Sequence, residues 1–175
     1  PLASGLKLGA YSLSEPQSGS DASNMKTFAE KNGNNFIVNG TKNWVTSGKN
    51  SDLIIFFCKT EKGAGSKGIS AFIIEKDTPG LTTGKKEEKL GIRASDTCEL
   101  YFDNCEIPES NLIGNLGQGF SIAMQALGGG RIGIASQSVG LAREALDKTI
   151  SYSKEREQFG KKIAKFGAIQ NKIAD

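Results

Sequence analysis

Two Asn-Gly dipeptides, Asn32-Gly33 and Asn39-Gly40, separate short segments that are rich in apolar and β-branched residues. Asn-Gly favours the type I′ turn of a two-residue β-hairpin, because both central residues of that turn need positive φ. Two such turns close together predict three short antiparallel strands, over Met25–Lys31, Asn35–Val38 and Thr41–Val45. This part of the chain is therefore expected to form β-structure.

The rest of the first hundred residues shows the same strand signals. Leu53–Thr60 and Ile69–Glu75 are rich in β-branched and aromatic residues, which favour strands. Residues 98–103 alternate between apolar and polar side chains, as a strand with one buried face does. Several short strands separated by turns predict an antiparallel β-barrel or sandwich.

The pattern changes after Pro108, where helical periodicity replaces strand alternation. Residues on one face of a predicted α-helix recur at intervals of three and four; they are Ile132, Ala135, Val139, Ala142, Leu146 and Thr149. Further helical segments are predicted over Phe120–Leu127 and after Phe159-Gly160. The sequence therefore predicts the α+β class, with a β-domain over residues 1–105, a linker over 106–117 and helices over 118–175.

Composition excludes several classes of function. The 22 basic and 19 acidic residues leave a net charge of +3 and form no basic block, which argues against nucleic acid as a partner. The chain has no histidine, so nucleophile–histidine pairs and histidine metal sites are excluded within it. Its three cysteines lack C-x-x-C spacing and predict buried reduced thiols rather than a zinc site or a disulfide framework. No apolar run is long enough to span a bilayer.

Residues 63–68 match the pattern G-x-G-x-x-G. In a dinucleotide-binding fingerprint this pattern follows a strand and opens a helix. Here the following segment, Ile69–Glu75, is a predicted strand. We therefore interpret residues 63–68 as a hairpin loop.

Two segments carry groups that suit a planar, polar ligand. Tyr11–Asp21 is a turn-rich loop with hydroxyls and backbone N–H groups that can bind a heterocycle edge or a phosphate. Asn39–Gly48 contains the only tryptophan, Trp44, two residues from Thr46, so the two share a face if the segment is extended. A flat aromatic beside a hydroxyl suits a planar ring with a hydrogen-bonding nitrogen. Taken singly, an ordinary turn and an ordinary core tryptophan explain these segments better.

Two further stretches make the combination specific. They are Lys89–Ser95, which reads K-L-G-I-R-A-S, and Gly130–Ala135 followed by Arg156–Gly160, which reads R-E-Q-F-G. Together with the S-E-P-x-x-G-S-D loop, and in this order, these stretches closely resemble the acyl-CoA dehydrogenase family. The short-chain, butyryl-type members are nearest, and the resemblance covers essentially all 175 residues.

The resemblance implies an architecture and a reaction. Family members have an α-helical N-terminal domain, a middle β-domain and a C-terminal four-helix bundle, and this chain resembles the middle domain with the first helices of the bundle. The implied reaction is FAD-dependent α,β-dehydrogenation of a short-chain fatty acyl-CoA to the trans-2-enoyl-CoA, with electrons passed to an electron-transferring flavoprotein. The implied assembly is a homotetramer, in the mitochondrial matrix of a eukaryote or the cytoplasm of a bacterium.

The resemblance also implies residue roles. The implied FAD-binding residues are Tyr11, Leu13, Ser14, Ser20, Trp44, Thr46, Arg156, Gln158 and Phe159. Ser20 and Arg131 are implied at the acyl-CoA, and the segment around Arg156 at the FAD of a neighbouring subunit. The family's catalytic glutamate lies in helices beyond Asp175, so this chain is expected to contain no catalytic residue and to be inactive alone.

Three positions depart from the family pattern. Gln17 replaces a Gly or Asn, Gly128 an aspartate that contacts the CoA end of the substrate, and Gly167 a glutamine near the cofactor. Two alternatives stay open. One is an acyl-CoA oxidase or flavin monooxygenase of the same fold, and the other is a non-catalytic relative that serves as a binding or assembly module.

Overall fold

The computed structural model describes residues 1–175 as two compact units, Pro1–Gln125 and Ala126–Asp175. The first unit contains eight strands: β1 (Gly9–Ser12), β2 (Phe28–Asn32), β3 (Asn35–Thr46), β4 (Leu53–Lys59), β5 (Ile69–Glu75), β6 (Leu81–Thr83), β7 (Thr97–Pro108) and β8 (Leu112–Ile113). Helix α1 (Gly119–Glu155) begins in the first unit and continues through the second, which also contains β9 (Glu157–Gln158), β10 (Lys161–Lys162) and α2 (Gly167–Ala174).

The eight strands of the first unit form one sheet in the order β6-β7-β3-β2-β4-β5-β8, with β1 added beside β4. Most pairs are antiparallel, but β1 and β2 both pair with β4 in parallel. The predicted fold class is confirmed, since a sheet-rich, sandwich-like unit precedes helices. The sheet is not a closed barrel, because β6 and β8 stay as its two edges.

Four phenylalanines from β3, β4, β5 and β7 fill the centre of the core. Phe56 packs against Phe72 and Phe102 with ring centroids 5.8 and 4.8 Å apart, and Phe36 lies 5.1 Å from Phe72. These are distances at which offset and tilted aromatic pairs attract each other. The three free cysteines are buried, as predicted.

The first Asn-Gly dipeptide does lie at a hairpin, but not with the predicted turn. Asn32 pairs with Asn35 across the β2–β3 hairpin, so the two-residue loop is Gly33-Asn34. Only Gly33 has positive φ, at 58°, which is the pattern of a type II′ turn rather than type I′. The predicted turn type is therefore wrong and its position is one residue early.

The second Asn-Gly dipeptide is not a turn at all, because Asn39 and Gly40 lie inside the long strand β3. The pairing with β7 shifts here, so that Asp103 and Asn104 of β7 face Asn39 alone, which defines a β-bulge. The Asn39 side chain stabilises the bulge by accepting a 2.8 Å hydrogen bond from the Asn104 N–H. Two predicted strands are thus one.

Gly40 is expected to be indispensable for this strand. Its φ is +149°, and a Cβ there would overlap Thr27 Oγ1 and lie 2.7 Å from Thr27 Cα. Because the obstacle includes backbone, we expect Gly40→Ala to lower the free energy of unfolding by about 3 kcal/mol. Urea unfolding measures this loss. Gly33→Ala is the matched control, since Gly33 also has positive φ but nothing within 4 Å; equal losses in both variants would contradict the account.

The G-x-G-x-x-G segment lies where we expected it. Residues Gly65–Gly68 form a short 3₁₀ turn between β4 and β5, which pair antiparallel. The hairpin interpretation is confirmed, because the strand β5 directly follows these glycines and pairs antiparallel with β4, whereas a dinucleotide fingerprint opens a helix.

The second unit is built on α1, which is longer than predicted. The helix runs through Gly128, Gly129 and Gly130 without a break, so the separately predicted segments are one helix of 37 residues. An unpredicted hairpin of β9 and β10 follows, and α2 supplies the helical piece predicted after Phe159-Gly160. No helix is both long and apolar enough to cross a membrane.

Candidate functional site

The end of β1, just before the loop that leaves it, is held by contacts with β4 and α1. Tyr11 is half-buried, with its ring 5.1 Å from Phe57, and its hydroxyl donates to the carbonyl of Ala123 in α1 at 3.3 Å. Burial raises the pKa of Tyr11 to about 12, so the hydroxyl stays protonated at physiological pH. Leu13 is buried and Ser14 half-buried, so Ser14 is the first residue after β1 that is partly exposed.

A buried ion pair lies beneath this loop. The Nζ of Lys42, on β3, lies 2.8 Å from the Oε1 of Glu15, in the loop. The two side chains are 0% and 2% exposed. The same ammonium donates to the carbonyl of Leu13 at 3.0 Å. The Glu15 carboxylate also accepts the N–H groups of Lys26 at 2.5 Å and Thr27 at 3.1 Å. Both charges are therefore paired and hydrogen-bonded.

The pKa values of this pair follow from burial and mutual attraction. Burial raises the pKa of Glu15, but the Lys42 ammonium and the hydrogen bonds to the carboxylate outweigh burial and hold the pKa below its ordinary value. Burial lowers the pKa of Lys42, and the attraction of Glu15 opposes that shift only in part. Glu15 is therefore a carboxylate at neutral pH, with Lys42 as its partner.

Trp44 owes its exposure to a second β-bulge. Between β3 and β7, Asn43 and Trp44 together face Glu99 alone, and Trp44 takes a positive φ of 58°. The extra residue turns the indole outward, so the only tryptophan is 61% exposed. Thr46 is exposed as well, with buried Val45 between them. A large aromatic held outward on strained backbone is typical of a functional site.

The loop and the bulged strand meet at a backbone hydrogen bond. The N–H of Asn43 donates to the carbonyl of Ser14 at 2.8 Å, which brings Ser14 beside the residue that precedes Trp44. Ser20 lies further along the same loop with its side chain exposed. The structure thus brings Ser14 beside the Trp44 segment, while Leu13 is bonded to Lys42 of the same strand and the Tyr11 side chain contacts Phe57 and Ala123.

The turn after Thr46 is held by Asp96, a residue that the sequence analysis did not single out. Asp96 is buried; its carbonyl accepts from Ser47 N–H at 2.9 Å, and its carboxylate accepts from Lys49 N–H at 2.9 Å and Asn50 Nδ2 at 2.8 Å. Ser47 has a positive φ of 60°. Asp96 directly follows the K-L-G-I-R-A-S stretch, which is thereby anchored to the Trp44–Thr46 segment.

The sequence analysis also missed Lys42 and Glu15. The only sequence signal for Lys42 was its position in the alternating pattern of β3. Phe36 and Val38 point inward on β3, and the period of two places Lys42 on the same face. A lysine at an inward-facing position needs a buried partner. The sequence does not identify that partner, because Glu15 lies in a loop whose position relative to Lys42 depends on the folded structure.

The second unit carries the other predicted site residues. Arg131 is exposed on α1. Arg156 follows the end of α1, and Gln158 and Phe159 belong to the β9–β10 hairpin, whose turn holds Phe159 at 91% exposure with φ of 52°. The structure therefore gathers Arg156, Gln158 and Phe159 on one hairpin, while Arg131 lies on the helix.

Comparisons with known proteins match the chain along almost its whole length. Residues 10–105 match the family described as acyl-CoA dehydrogenase, middle domain, and residues 117–175 match that described as acyl-CoA dehydrogenase, C-terminal domain. The mitochondrial short-chain specific acyl-CoA dehydrogenase of Rattus norvegicus is 48% identical over 175 residues, covering 100% of this chain and 42% of the rat protein.

Two solved structures superpose on the chain with a TM-score of 0.96 each. One is butyryl-CoA dehydrogenase from Megasphaera elsdenii, 49% identical. The other is 50% identical and comes from a study of the electron transferring flavoprotein of Acidaminococcus fermentans and of flavin-based electron bifurcation. Each match covers 100% of this chain and 46% of the other, so the chain spans less than half the length of these relatives.

Proposed function

This chain belongs to the acyl-CoA dehydrogenase family, and from that premise we propose that it forms part of an FAD-dependent enzyme that converts a short-chain fatty acyl-CoA to the trans-2-enoyl-CoA. In this proposal residues 1–105 bind flavin and acyl-CoA, and residues 118–175 begin the C-terminal helical bundle. Residues 106–117 form the linker between these two parts. The observation that carries the proposal is the outward-facing Trp44 on its bulge, joined through Asn43 to Ser14.

The residues around Trp44 fit a flavin by their chemistry. An exposed indole offers a flat apolar face to a planar ring, and the exposed Thr46 hydroxyl and half-buried Ser14 offer donors to its polar edge. Positive φ at Trp44 and Ser47 costs on the order of 1–3 kcal/mol per residue. Strain of this kind persists where the surroundings enforce it for a purpose, which supports a ligand site here.

The β9–β10 hairpin suits the phosphates and ring edge of a second flavin. Arg156, Gln158 and Phe159 are all exposed on it, and a guanidinium grips a pyrophosphate through paired hydrogen bonds better than an ammonium does. We assign this hairpin to the FAD of a neighbouring subunit. A homotetramer is the assembly that we propose.

In the proposed mechanism FAD, when bound, supplies the hydride acceptor for the β-carbon of the substrate. The chain's own residues bind and orient. Trp44 covers one side of the ring and excludes water, Thr46 donates a hydrogen bond to the ring edge, and Ser20 and Arg131 bind the CoA portion. The base for the α-proton is a glutamate outside these 175 residues, so the chain alone is expected to be inactive.

The proposal extends to partners and location. The likeness to the chain from the Acidaminococcus fermentans study supports an electron-transferring flavoprotein as electron acceptor. The mitochondrial location of the rat relative supports the mitochondrial matrix if the source is a eukaryote; in a bacterium we propose the cytoplasm.

Anaerobic addition of butyryl-CoA to the full-length holoenzyme is expected to bleach its flavin absorption. Thr46→Val should slow the bleaching about tenfold, the effect of losing a hydrogen bond to the ring that is worth about 1.4 kcal/mol more in the transition state than in the resting complex. Thr82→Val, at an exposed threonine on β6, is the matched control and should leave the rate unchanged. Bound flavin that butyryl-CoA never bleaches would contradict the dehydrogenase and favour a non-catalytic module. Rapid reoxidation of bleached flavin by oxygen would favour an oxidase or monooxygenase.

A further inference from the structure

We propose that the buried Lys42–Glu15 pair is a positioning device that holds the Leu13–Ser14 backbone in the conformation that receives the flavin. This inference rests on the proposed function, since it assigns the pair a role in FAD binding. It makes Lys42 and Glu15 positioning residues, because neither side chain reaches the surface at which Trp44 lies.

Lys42 connects β3 to two points of the loop at once. Its Nζ donates to the carbonyl of Leu13 at 3.0 Å and to Glu15 Oε1 at 2.8 Å, and its remaining contact is Met25 Sδ at 3.9 Å. The ammonium is fully buried, so it makes these contacts without competition from solvent. Its contact with the Leu13 carbonyl fixes the plane of the Leu13–Ser14 peptide.

Glu15 extends the same constraint to the beginning of β2. Its carboxylate accepts the N–H groups of Lys26 and Thr27, which precede Phe28, the first residue of that strand. The loop is therefore attached to β3 through Lys42 and to the β2 entrance through Glu15. The Asn43–Ser14 hydrogen bond adds a third attachment.

Stability alone does not explain why this position is charged. Replacing a buried ion pair by apolar side chains of similar volume is often neutral or stabilising, so the two charges are not needed for stability as such. What an apolar pair cannot replace is the set of hydrogen bonds to the backbone of the loop and of the β2 entrance. An apolar side chain has no donor for the Leu13 carbonyl. Lys42 lies two residues before Trp44, but the bulge at Asn43 and Trp44 leaves Lys42 buried and the indole exposed. The same strand therefore positions both the indole and the loop.

Gln17, which departs from the family pattern, belongs to the same network. Its Nε2 donates to Glu15 Oε2 at 2.7 Å, and Gln17 itself is exposed. The amide therefore covers the carboxylate from the solvent side. We assign Gln17 to securing Glu15 rather than to contact with the cofactor.

The test compares FAD affinity in the full-length protein and in a variant with both charges removed. Lys42→Met/Glu15→Gln leaves no unpaired buried charge. The amide oxygen of the glutamine introduced at position 15 can still accept from the Thr27 N–H, but the Leu13 carbonyl loses its donor. We expect a folded protein whose FAD dissociation constant rises about tenfold, the equivalent of one hydrogen bond. We also expect the absorption band of its bound flavin to shift. Lys31→Met/Glu109→Gln removes an exposed pair and should change neither.

The outcomes separate this inference from the proposed function. A wild-type protein that binds no FAD overturns both. A wild-type protein that binds FAD, with a folded double variant of equal affinity and unchanged flavin spectrum, overturns the positioning role alone. If the double variant does not fold, Gln17→Ala decides the question, because Gln17 is exposed and its loss removes one of the hydrogen bonds that hold the Glu15 carboxylate in place. We expect FAD affinity to fall about two- to threefold in Gln17→Ala, and an unchanged affinity overturns the inference.

Discussion

Lys42→Met is expected to lower the free energy of unfolding by about 3–5 kcal/mol, because it leaves the Glu15 carboxylate buried without a partner. The Glu15 side chain is 2% exposed and cannot turn to solvent without releasing the N–H groups of Lys26 and Thr27. For a chain of this size the loss corresponds to a fall in Tm on the order of 10 °C. Thermal unfolding followed by circular dichroism measures it.

Two matched variants show whether the unpaired charge is the cause. Adding Glu15→Gln to Lys42→Met should restore most of the stability, because the carboxylate is then gone. Lys31→Met removes one partner of an exposed pair and should cost at most about 1 kcal/mol. A loss in Lys42→Met no larger than in Lys31→Met, or no recovery in the double variant, would contradict the account.

The same pair gives a direction for the dependence of stability on pH. The folded-state pKa of Glu15 lies below its ordinary value, so the folded chain binds fewer protons at this carboxyl than the unfolded chain does. The stabilisation is therefore present above the unfolded pKa and is lost as the pH falls through the folded pKa. Lys42→Met/Glu15→Gln should show a weaker loss of stability in acid than the wild type.

The sequence predicted the elements whose signal is local. The alternation over residues 98–103 identified β7, and the recurrence from Ile132 to Thr149 identified α1. It failed where two distant segments decide the structure together. Asn39-Gly40 has the composition of a turn, yet the pairing of β3 with β7 keeps it extended, because Asn39 satisfies the bulge at Asn104 and Gly40 makes room for Thr27.

The candidate site was predicted in part for the same reason. Trp44 and Thr46 stand out by residue type and spacing, and both are exposed in the structure. The bulge that turns Trp44 outward depends on the register with β7, which no single segment reveals. Lys42, Glu15 and Asp96 hold the site through contacts between loops and strands that are far apart in the sequence.

The central claim is that Trp44 lies against a bound flavin, and tryptophan fluorescence tests it most directly. Trp44 is the only tryptophan among the 175 residues, so the emission of this chain reports on one side chain. Titration with FAD is measured together with binding by equilibrium dialysis, and free tryptophan amide corrects for absorption by FAD. The account predicts saturable quenching of most of the emission, with the same dissociation constant as dialysis. Saturable FAD binding that leaves the Trp44 emission unchanged would contradict it.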